Sequence, residues 1–562
     1  MLSQLVKDIA HLSSKELWKS QTLKTASKFK IYFAIALSVC LFPTTAQAQM
    51  AQNLLIGNAK ALAMGNAVTA DPPGIDSIHF NPAGLTRMKG RRSHMKFIVA
   101  SVDIFNDLIS TPDYEQSQLD FNPNVRDPLA NTRSEVDKFA VYLPGEGITP
   151  VPLTAAPLGG FSYSLPDSPW TFATAFYAPL ILGFTREDQD PGIYFGKEVA
   201  MSRLTMFSPT AAYQFNEHLS LGFGLGFSYV GAGLDIPFRS PSGLVKTLGQ
   251  LTDQVCDRRD DLGNQFVLEI EVINLCEGSV SPYDEIVTLR VDVEKKLSMT
   301  YNLGLLWEPN AWLSLGMVYQ SPVTDTLKGD VEVEIGEGVY DLVEGAMAAD
   351  PIVRGLALAL GWQEGNPSIK AKGHFDLPLP AHLAFGVSAQ VTPRLKVNLD
   401  VKWTETSAWD SFYFKVDEEI QLLQFLQLID GIEVDGINIP RGYNDTLNWG
   451  IGFEYQYKDD LALRFGYEPR KTGVPNDKRD PLIPIGDFDL IGFGFSKKIK
   501  KDTEFDVSFG YAKSEEYIPA GSSSNGNDDS RFDNIIYNPV AGLDVRSVTE
   551  IFIVELSYLS TF

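Results

Sequence analysis

Apolar and polar residues alternate with a period of two along most of this chain. Successive side chains of a β-strand point to opposite faces, so this period indicates strands with one apolar face. In the segment 447–457, for example, every odd position from Leu447 to Tyr457 is apolar. The pattern recurs fourteen times and predicts strands at about 93–103, 154–165, 170–183, 202–214, 219–238, 290–307, 312–328, 370–391, 395–405, 446–457, 461–468, 486–498, 503–513 and 548–562.

The connections between these predicted strands alternate strictly between short and long. Short turns lie at 166–169, 215–218, 308–311, 392–394, 458–460 and 499–502, and long segments lie at 104–153, 184–201, 239–289, 329–369, 406–445, 469–485 and 514–547. Outer-membrane barrels have short periplasmic turns and long extracellular loops, whereas soluble sandwiches have no reason to follow this rule. The sequence therefore predicts an all-β fold, a 14-stranded antiparallel transmembrane β-barrel over residues 91–562.

The last predicted strand ends at an aromatic residue, Phe562, and alternates in the same way. Taken alone, this segment would also suit the edge of a soluble sheet. In a barrel, we expect this strand to engage the barrel-assembly machinery, and the wall to contact outer-membrane lipid and lipopolysaccharide. The loops are rich in acidic residues, which favours a solubilising role, with divalent-cation bridging to lipopolysaccharide as the alternative. Residues 522–529 are predicted to be a solvated loop tip.

Residues 1–48 have the features of a secretory signal peptide. Lys24, Lys28 and Lys30 precede an apolar run at 31–42, which is too short to span a bilayer, and Ala46 and Ala48 form a cleavage motif. We expect cleavage after Ala48 and export of the mature chain. No later run of 18 or more apolar residues predicts a membrane helix.

Residues 49–90 do not alternate and are rich in alanine and glycine. The segment ends in Phe80-Asn81-Pro82-Ala83-Gly84-Leu85, where Asn81 suits a helix N-cap and Pro82 the first helical position, or equally a turn. About forty residues are too few for a domain with its own core. A fourteen-stranded barrel has a lumen that needs filling. We therefore predict an N-terminal helical plug, or hatch, at 49–90 inside the lumen.

Composition excludes several classes of function. The formal net charge of −24 argues against nucleic-acid binding, which needs lysine and arginine. Cys256 and Cys276 are expected to form a loop disulfide in an oxidising compartment, with a reactive thiol or metal site as the weaker alternative. The six histidines lack metal-ligand spacing, and no catalytic constellation stands out. We expect no enzyme activity, no cofactor and no metal.

Several motifs, in their order along the chain, make the sequence resemble the FadL/OmpP1/TodX family of outer-membrane transporters of hydrophobic compounds. They are 61–67 (ALAMGNA), 80–85 (FNPAGL), 319–322 (YQSP), Leu379-Pro380, 403–409, 463–467 (LRFGY) and the prolines and charges of 474–484. The resemblance implies passive uptake of hydrophobic compounds, foremost long-chain fatty acids, by a monomer. Loops capture the substrate, an interior pocket binds it, the plug rearranges, and the substrate exits sideways where the third strand kinks. The loops at 239–289 and 406–445 are longer than the family's, which leaves the choice among fatty acids, alkanes and monoaromatics open.

The resemblance also implies roles for particular residues. Phe80, Asn81, Pro82, Ala83 and Gly84 would form the contact between plug and wall. Tyr177, Pro179 and Gly183 would form the kink, because proline lacks an N–H and glycine permits a bend, although Pro179 could simply end the strand. Candidate partners for a substrate carboxylate are Lys415, Arg239, Arg203 and Lys402, with simple solvation as the alternative. The competing function is a structural or non-specific polar-solute porin.

Overall fold

The computed structural model describes residues 57–121, 126–151, 154–239, 241, 283–349, 351–359, 362, 364–417, 432–433, 435–484, 486–500, 503–528 and 538–561. The predicted signal peptide, Cys256, Cys276 and Phe562 lie outside the described residues. No helix in the described part of the chain is long and apolar enough to cross a membrane. The α-helices within these ranges are α1 (Ala59–Ala63), α2 (Ser77–Phe80), α3 (Pro112–Phe121), α4 (Glu337–Ala349) and α5 (Pro351–Ala359), and the 3-10 helices there are Gly74–Asp76, Pro82–Arg87, Ile193–Phe195, Thr406–Ala408 and Asn476–Lys478.

The described strands form one antiparallel sheet. Their bounds are β1 (Gly90–Ile109), β2 (Thr132–Glu135), β3 (Lys138–Leu143), β4 (Gly147–Val151), β5 (Thr154–Ser164), β6 (Trp170–Thr185), β7 (Glu198–Phe207), β8 (Thr210–Gln214), β9 (Leu219–Phe238), β10 (Val287–Asn310), β11 (Leu313–Gln320), β12 (Val323–Ile335), β13 (Ser368–Leu379), β14 (His382–Thr392), β15 (Leu395–Thr404), β16 (Ser411–Val416), β17 (Ile432–Glu433), β18 (Gly436–Pro440), β19 (Thr446–Lys458), β20 (Leu461–Arg470), β21 (Phe488–Lys500), β22 (Thr503–Ile518) and β23 (Asp544–Thr561).

The sheet closes on itself because β1 pairs with β23 from Arg92↔Thr561 to Ile109↔Asp544. At three places around the barrel wall, two consecutive short strands together take the place of one long strand, which we count as one wall position. These pairs are β7 with β8, β11 with β12, and β13 with β14. Together with β1, β5, β6, β9, β10, β15, β19, β20, β21, β22 and β23 they make fourteen positions. The prediction of a fourteen-stranded antiparallel barrel is confirmed, since each predicted segment coincides with one position.

The two faces of the wall differ as the period-two pattern predicts. Outward positions on many strands carry exposed apolar side chains, such as Phe223 on β9 and Phe493 on β21. The neighbouring inward positions carry glycine or small polar residues, such as Gly222 and Gly492. Exposed apolar side chains suit a surface that faces lipid. A closed barrel also leaves no unpaired strand edge inside the lipid bilayer.

Residues 57–89, which we call the plug, lie inside this wall. The residues of the plug up to Thr86 are nearly all buried. Its elements contact strands around the whole circumference, from β1, β5 and β6 through β8, β9 and β10 to β20, β21, β22 and β23. A segment that touches opposite walls at once lies in the lumen.

The long extracellular connections carry structure of their own. They contain α3 to α5, the β3–β4 hairpin and strands β16 to β18. The prediction that residues 522–529 form a solvated tip is wrong for Ser523, Asn525 and Asn527, which are buried. Asn527 Nδ2 donates to the carbonyls of Pro519 and Leu543, and Asn525 Nδ2 donates to that of Pro440. Polar side chains there satisfy buried backbone groups of neighbouring loops, so their polarity does not imply exposure.

Candidate functional site

The plug and the wall meet backbone to backbone. A Cβ on Gly466 would lie 2.0 Å from the Gly65 nitrogen, and a Cβ on Gly222 would lie 2.2 Å from the carbonyl carbon of Pro82. Similar contacts occur at inward glycines of β11, β14, β19 and β21. Any side chain at these positions would push the plug away, so the glycines set how closely it fits.

Asn81 joins the plug to the wall at β10. Its Oδ1 accepts from the N–H of Ala83 (3.1 Å) and so caps the Pro82–Arg87 helix, while its Nδ2 donates to the carbonyls of Thr69 (2.8 Å) and Leu305 (3.0 Å). Pro82 occupies the start of that helix, as the Asn-Pro pair suggests. The 80–84 segment therefore contacts the wall, and Asn81, Pro82 and Ala83 do so at β9 and β10.

Buried ion pairs hold one side of the plug. Asp76 Oδ1 lies 2.7 Å from Lys96 Nζ on β1, and its Oδ2 accepts from Asn58 Nδ2 (2.7 Å). Burial raises the pKa of Asp76, but the Lys96 ammonium and neighbouring groups more than offset this, so the pKa lies below its usual range. The carboxylate therefore stays ionised and bonded to β1.

Asp71 forms a second ionic contact of the plug. It lies 2.8 Å from Lys60 and 3.1 Å from Arg87, both within the plug, and 2.9 Å from Lys396 on β15. Burial opposes ionisation, but the three cations together hold the pKa of Asp71 well below its usual range. The backbone N–H of Thr69 also donates to Asp400 on β15 (2.8 Å), which extends the polar contact along that strand.

The part of the plug that faces β6 and β8 is apolar. Ile75, Ile78 and Phe80 belong to one buried cluster with the inward residues Ala175 and Tyr177 of β6. The cluster also contains Leu85 and Met88 of the plug and Ala212 of β8. The imidazole of His79 packs against the Tyr177 ring with their centroids 5.3 Å apart. These contacts depend on fit, with few directional bonds.

Strand β6 is interrupted on the edge that faces β5. The β5–β6 ladder runs from Tyr163↔Phe172 to Gly159↔Phe176 and ends there, although β6 continues to Thr185. At its extracellular end β6 instead pairs with β3, at Lys138↔Thr185 and Phe139↔Phe184. The two neighbouring wall strands therefore separate above Phe176.

The other edge of β6 is interrupted twice. Tyr177 pairs with Thr205 and Leu180 with Arg203, so Ala178 and Pro179 oppose Leu204 alone and form a β-bulge. Below it, pairing stops between Tyr177↔Thr205 and Ala173↔Thr210, where β7 passes into β8.

Ser208 partly fills the gap between these two ladders. Its Oγ accepts from the N–H of Ala175 (2.9 Å) and donates to the carbonyl of the same residue (2.8 Å). A side chain therefore replaces the missing strand partner, and the backbone groups of Ala175 remain satisfied.

Gly183 lies beyond the bulge, where the β3–β4 hairpin crosses the outside of the wall. A Cβ on Gly183 would lie 2.5 Å from the Ala140 carbonyl oxygen of β3. The Tyr142 N–H donates to Ser202 Oγ (3.0 Å), and the Tyr142 hydroxyl donates to Asp292 on β10. The structure thus places Tyr177 and Pro179 at the irregularity of β6 and Gly183 under the hairpin. Their role in substrate exit remains a prediction.

Arg203, the first of the predicted carboxylate partners, shares a single carboxylate with a second cation. Its Nη1 lies 2.8 Å from Asp325 Oδ2, and Lys295 Nζ lies 2.9 Å from Asp325 Oδ1. Lys295 pairs with Val230, whose side chain is buried in the interior, so Lys295 also points inward. Two cations on one anion leave one positive charge in excess, and Lys295 is the more accessible of the two, with 34% of its side chain exposed.

Arg239 and Lys402 are each held by a buried carboxylate. Arg239 makes a bidentate contact with Asp127 in the extracellular loops (2.7 and 2.9 Å). Burial raises the pKa of Asp127, but the Arg239 guanidinium more than offsets this and holds the pKa below its usual range. Lys402 Nζ donates to Glu468 (2.6 Å), which also accepts from Asn66 of the plug.

Lys415 points away from the interior. Its neighbours Phe412, Phe414 and Val416 on β16 are buried in the interior cluster, and the alternation of the strand places Lys415 on the other face. Its ammonium lies 4.6 Å from the centroid of the Tyr413 ring. The four cations are therefore not brought together, and their binding to a carboxylate remains a prediction.

The interior on the extracellular side of the plug is lined by apolar side chains. One continuous cluster joins the inward faces of β6, β9, β10, β12 and β13 to the loops above. It includes Leu180, Val230, Val293, Leu327 and Phe375. Leu180 pairs with Arg203, and Val230 pairs with both Arg203 and Lys295, so the excess charge borders this apolar region.

The described residues contain no group of His, Cys, Asp or Glu side chains that could hold a metal ion.

The sequence matches the family described as outer membrane protein transport protein (OMPP1/FadL/TodX) over residues 38–562. The chain belongs to this family. It is an outer-membrane transport protein and not an enzyme.

Solved structures share the fold at low sequence identity. A Pseudomonas aeruginosa FadL homologue is 17% identical, with a TM-score of 0.60 over 90% of this chain and 98% of that one. The Pseudomonas putida toluene transporter TodX is 14% identical, with a TM-score of 0.55 over 92% of this chain and 100% of that one. The Ralstonia pickettii toluene transporter TbuX is 16% identical, with a TM-score of 0.52 over 91% and 99%.

A putative outer membrane protein of Neisseria meningitidis serogroup B, NMB0088, is 24% identical over 229 residues. This match spans 41% of the present chain and 45% of the relative's length.

Sequence reasoning did not find several residues that now define the site. A lone histidine such as His79 carries no spacing signal, and Ser208 falls within the single predicted strand 202–214, where one serine gives no sign of a break. Lys295 precedes Lys296, and only the register of β10 against β9 shows which of the two points inward. The alternation along β10 indicates which positions face inward, but the bulge between Lys295 and Ser298 changes the inward-facing positions from odd to even numbers.

Proposed function

We propose that this transporter takes up long-chain fatty acids by passive diffusion. The substrate is captured among the extracellular loops and held in the apolar interior. Rearrangement of the plug then allows it to leave sideways through the wall at β6. The observation that carries the proposal is an apolar interior bordered by the partly exposed cation Lys295, next to a wall strand whose pairing is interrupted on both edges.

An apolar interior supports a hydrophobic cargo. Each methylene transferred from water to an apolar environment gains about 0.8 kcal/mol, so a long acyl chain partitions strongly into such a lining. A lateral exit then avoids an aqueous step. The descriptions of the structural relatives agree with this class of cargo, since they name a FadL homologue and toluene transporters.

The charge at Lys295 favours an acid over a neutral hydrocarbon. Arg203 and Lys295 share the single carboxylate of Asp325, at 2.8 and 2.9 Å, so the partly exposed Lys295 ammonium can also pair with a substrate carboxylate. A charge-assisted contact of this kind contributes to binding only when the ligand is an anion. Toluene would gain nothing from it.

The competing function, a polar-solute porin, has one observation in its favour. A cavity of about 230 Å³ on the periplasmic side of the plug is lined by charged residues that include Lys60, Glu454 and Arg464. Beyond it, Leu62 of the plug and the wall residues Leu490 and Ile553 belong to the apolar cluster. An apolar zone of this kind opposes passage of polar solutes, so this alternative has the weaker support.

Two adjacent lysines provide a matched test of substrate class. Cells lacking the protein are complemented with wild type, Lys295→Met or Lys296→Met, and initial uptake of radiolabelled oleate and toluene is measured. Lys296 is 86% exposed and points away from the interior, so it controls for loss of charge. We expect Lys295→Met to lower oleate uptake at limiting substrate by about fivefold, with no change for Lys296→Met. Toluene uptake that is restored by wild type without oleate uptake would contradict the fatty-acid proposal.

Removing the bulge tests the route. Deletion of Pro179 leaves Ala178 opposite Leu204 and allows β6 to pair without interruption there. We expect uptake to fall to the background of cells lacking the protein, while the barrel keeps its resistance to heat and detergent. Normal uptake by this variant, or improved uptake of small polar solutes by wild type alone, would contradict the lateral route.

A further inference from the structure

An apolar groove crosses the outer face of the wall beside the interruption in β6. It encloses about 580 Å³ between Phe161 and Tyr163 of β5, Phe172 and Thr174 of β6, Phe207 of β7, and Pro209 before β8. Four of these are aromatic side chains with at least 41% of their surface exposed. Exposed aromatic walls that face each other across a depression can hold an acyl chain between them.

One end of the groove lies at the gap between the two ladders of β6. Thr174 lines the groove, whereas the next residue, Ala175, faces the plug and belongs to its apolar cluster. Across the gap, the Ser208 hydroxyl bonds to the backbone of Ala175, and the Ser208 N–H donates to Thr174 Oγ1 (3.2 Å). The apolar side of the plug and the groove are therefore separated by a part of the wall where a ladder of β6 is interrupted.

The other end of the groove carries a positive charge. Arg91, the second residue of β1, lines it and lies with its guanidinium 5.7 Å from the centroid of the Tyr163 ring. Arg91 pairs with Tyr163 across the strands and shares its outward face. Both lie near the short turn between β5 and β6, which places the charge at the periplasmic membrane interface, where basic and aromatic side chains are favoured.

We propose that this groove is a binding site for the substrate after it has left the barrel, an inference that rests on the proposed function. The acyl chain of a single fatty acid lies between the aromatic rings, and its carboxylate pairs with Arg91. The groove spans β1 to β8, three strand spacings or about 15 Å around the wall. Arg91 pairs with Tyr163, two residues nearer to the β5–β6 turn than Phe161, the partner of Thr174, so a head group at Arg91 lies closer to the periplasmic interface than the gap does. The site thus takes an anionic single-chain amphiphile and gives uptake an inward direction along the wall.

Two features of the groove favour a fatty acid that leaves the barrel over bulk membrane lipid. The groove lies next to the gap in the pairing of β6, and its far end carries the charge of Arg91. A lipid that merely fills the depression would bind without regard to the gap, and a neutral chain would gain nothing from Arg91. The chain offers a matched control on another part of the wall. Lys458 lies 5.7 Å from the centroid of the Tyr457 ring at the end of β19, again at a short turn, but does not line this groove.

The experiment uses full-length mature protein in phosphatidylethanolamine vesicles with three photoreactive probes. These are a diazirine fatty acid, the corresponding neutral fatty alcohol, and a diazirine phosphatidylglycerol. Wild type, Arg91→Gln and Lys458→Gln are irradiated with each probe, and cross-linked peptides are identified by mass spectrometry. Oleate uptake by cells carrying the same variants is measured in parallel.

We expect the fatty acid to label peptides that contain Phe161, Phe172 and Phe207, and Arg91→Gln to reduce this labelling by about fivefold. Lys458→Gln and the fatty alcohol should show no such dependence. Equal labelling of Arg91→Gln and wild type, or labelling spread evenly around the barrel, would overturn the proposal. Arg91-dependent labelling by phosphatidylglycerol would assign the groove to bulk lipid and overturn it equally. If wild type itself transports no oleate, the proposed function fails, whereas uptake without Arg91-dependent labelling removes this inference alone.

Discussion

The contacts that the plug makes with β1 and β15, on two separate parts of the wall, differ in kind from those that it makes with β6 and β8. In the first set, which we call the ionic side, Asp76 and Asp71 pair with Lys96 and Lys396 at 2.7 and 2.9 Å, and Asp400 accepts from the Thr69 N–H. In the second set, which we call the apolar side, plug residues pack against alanine and tyrosine side chains of the wall. Separating a buried ion pair leaves charges without partners, whereas apolar surfaces can slide past each other. The comparison indicates that the ionic side anchors the plug and the apolar side yields.

Loss of one ionic partner should produce the largest effect. Lys96→Met leaves the buried Asp76 carboxylate without its cation, and we expect the local stability of the plug to fall by about 3 kcal/mol. Hydrogen exchange of peptides within residues 57–88 measures this change. The double variant Asp76→Leu/Lys96→Met removes both charges and should recover much of the loss. A double variant as unstable as the single one would show that the pair is not the anchor.

A steric change at the plug–wall contact should rank second. In Gly466→Ala, the new Cβ would lie 2.0 Å from the backbone nitrogen of Gly65, and neither backbone can yield easily. We expect a loss of about 2 kcal/mol, typical of an overpacked interior, seen as faster exchange across the plug. Gly355→Ala in α5 is the control, because nothing lies within 4 Å of its Cβ position. Equal effects of the two substitutions would contradict a close backbone fit.

A change on the apolar side should have a smaller effect that preserves the fold. Phe80→Leu keeps an apolar side chain and leaves no charge uncompensated, so we expect a loss of about 1 kcal/mol. If this side yields during transport, the variant should also raise initial oleate uptake at limiting substrate. A loss as large as that of Lys96→Met would remove the distinction between the two sides.

Acidification should have the smallest effect within the ordinary pH range. The folded pKa values of Asp71 and Asp76 lie below the usual value of 3.8, so their contribution is fully present above that value. This contribution to stability is lost only as the pH falls through the lower pKa values that the two carboxyls have in the folded state. Exchange of plug peptides, corrected for intrinsic rates, should therefore be no faster at pH 5 than at pH 8. Clear loosening at pH 5 would show that other groups control the ionic side.

The sequence alone determined the barrel, the number of its strands and the family. Strand period, turn length and composition are local properties, and a closed wall between lipid and lumen leaves one arrangement that satisfies them. The expectation that Asn81 and Pro82 start a helix, or equally form a turn, has the same local basis, since both act through neighbouring backbone groups.

Only the tertiary structure decided which residues meet inside. Asn66 donates to Glu468, which lies 402 positions later, and Lys295 is distinguished from Lys296 only by a bulge and by its pairing with β9. The predicted cations Arg203, Arg239 and Lys402 already hold buried carboxylates that no local pattern reveals. Ion pairing and burial depend on distances between strands far apart in sequence, and the period of each strand constrains its faces without naming its partners.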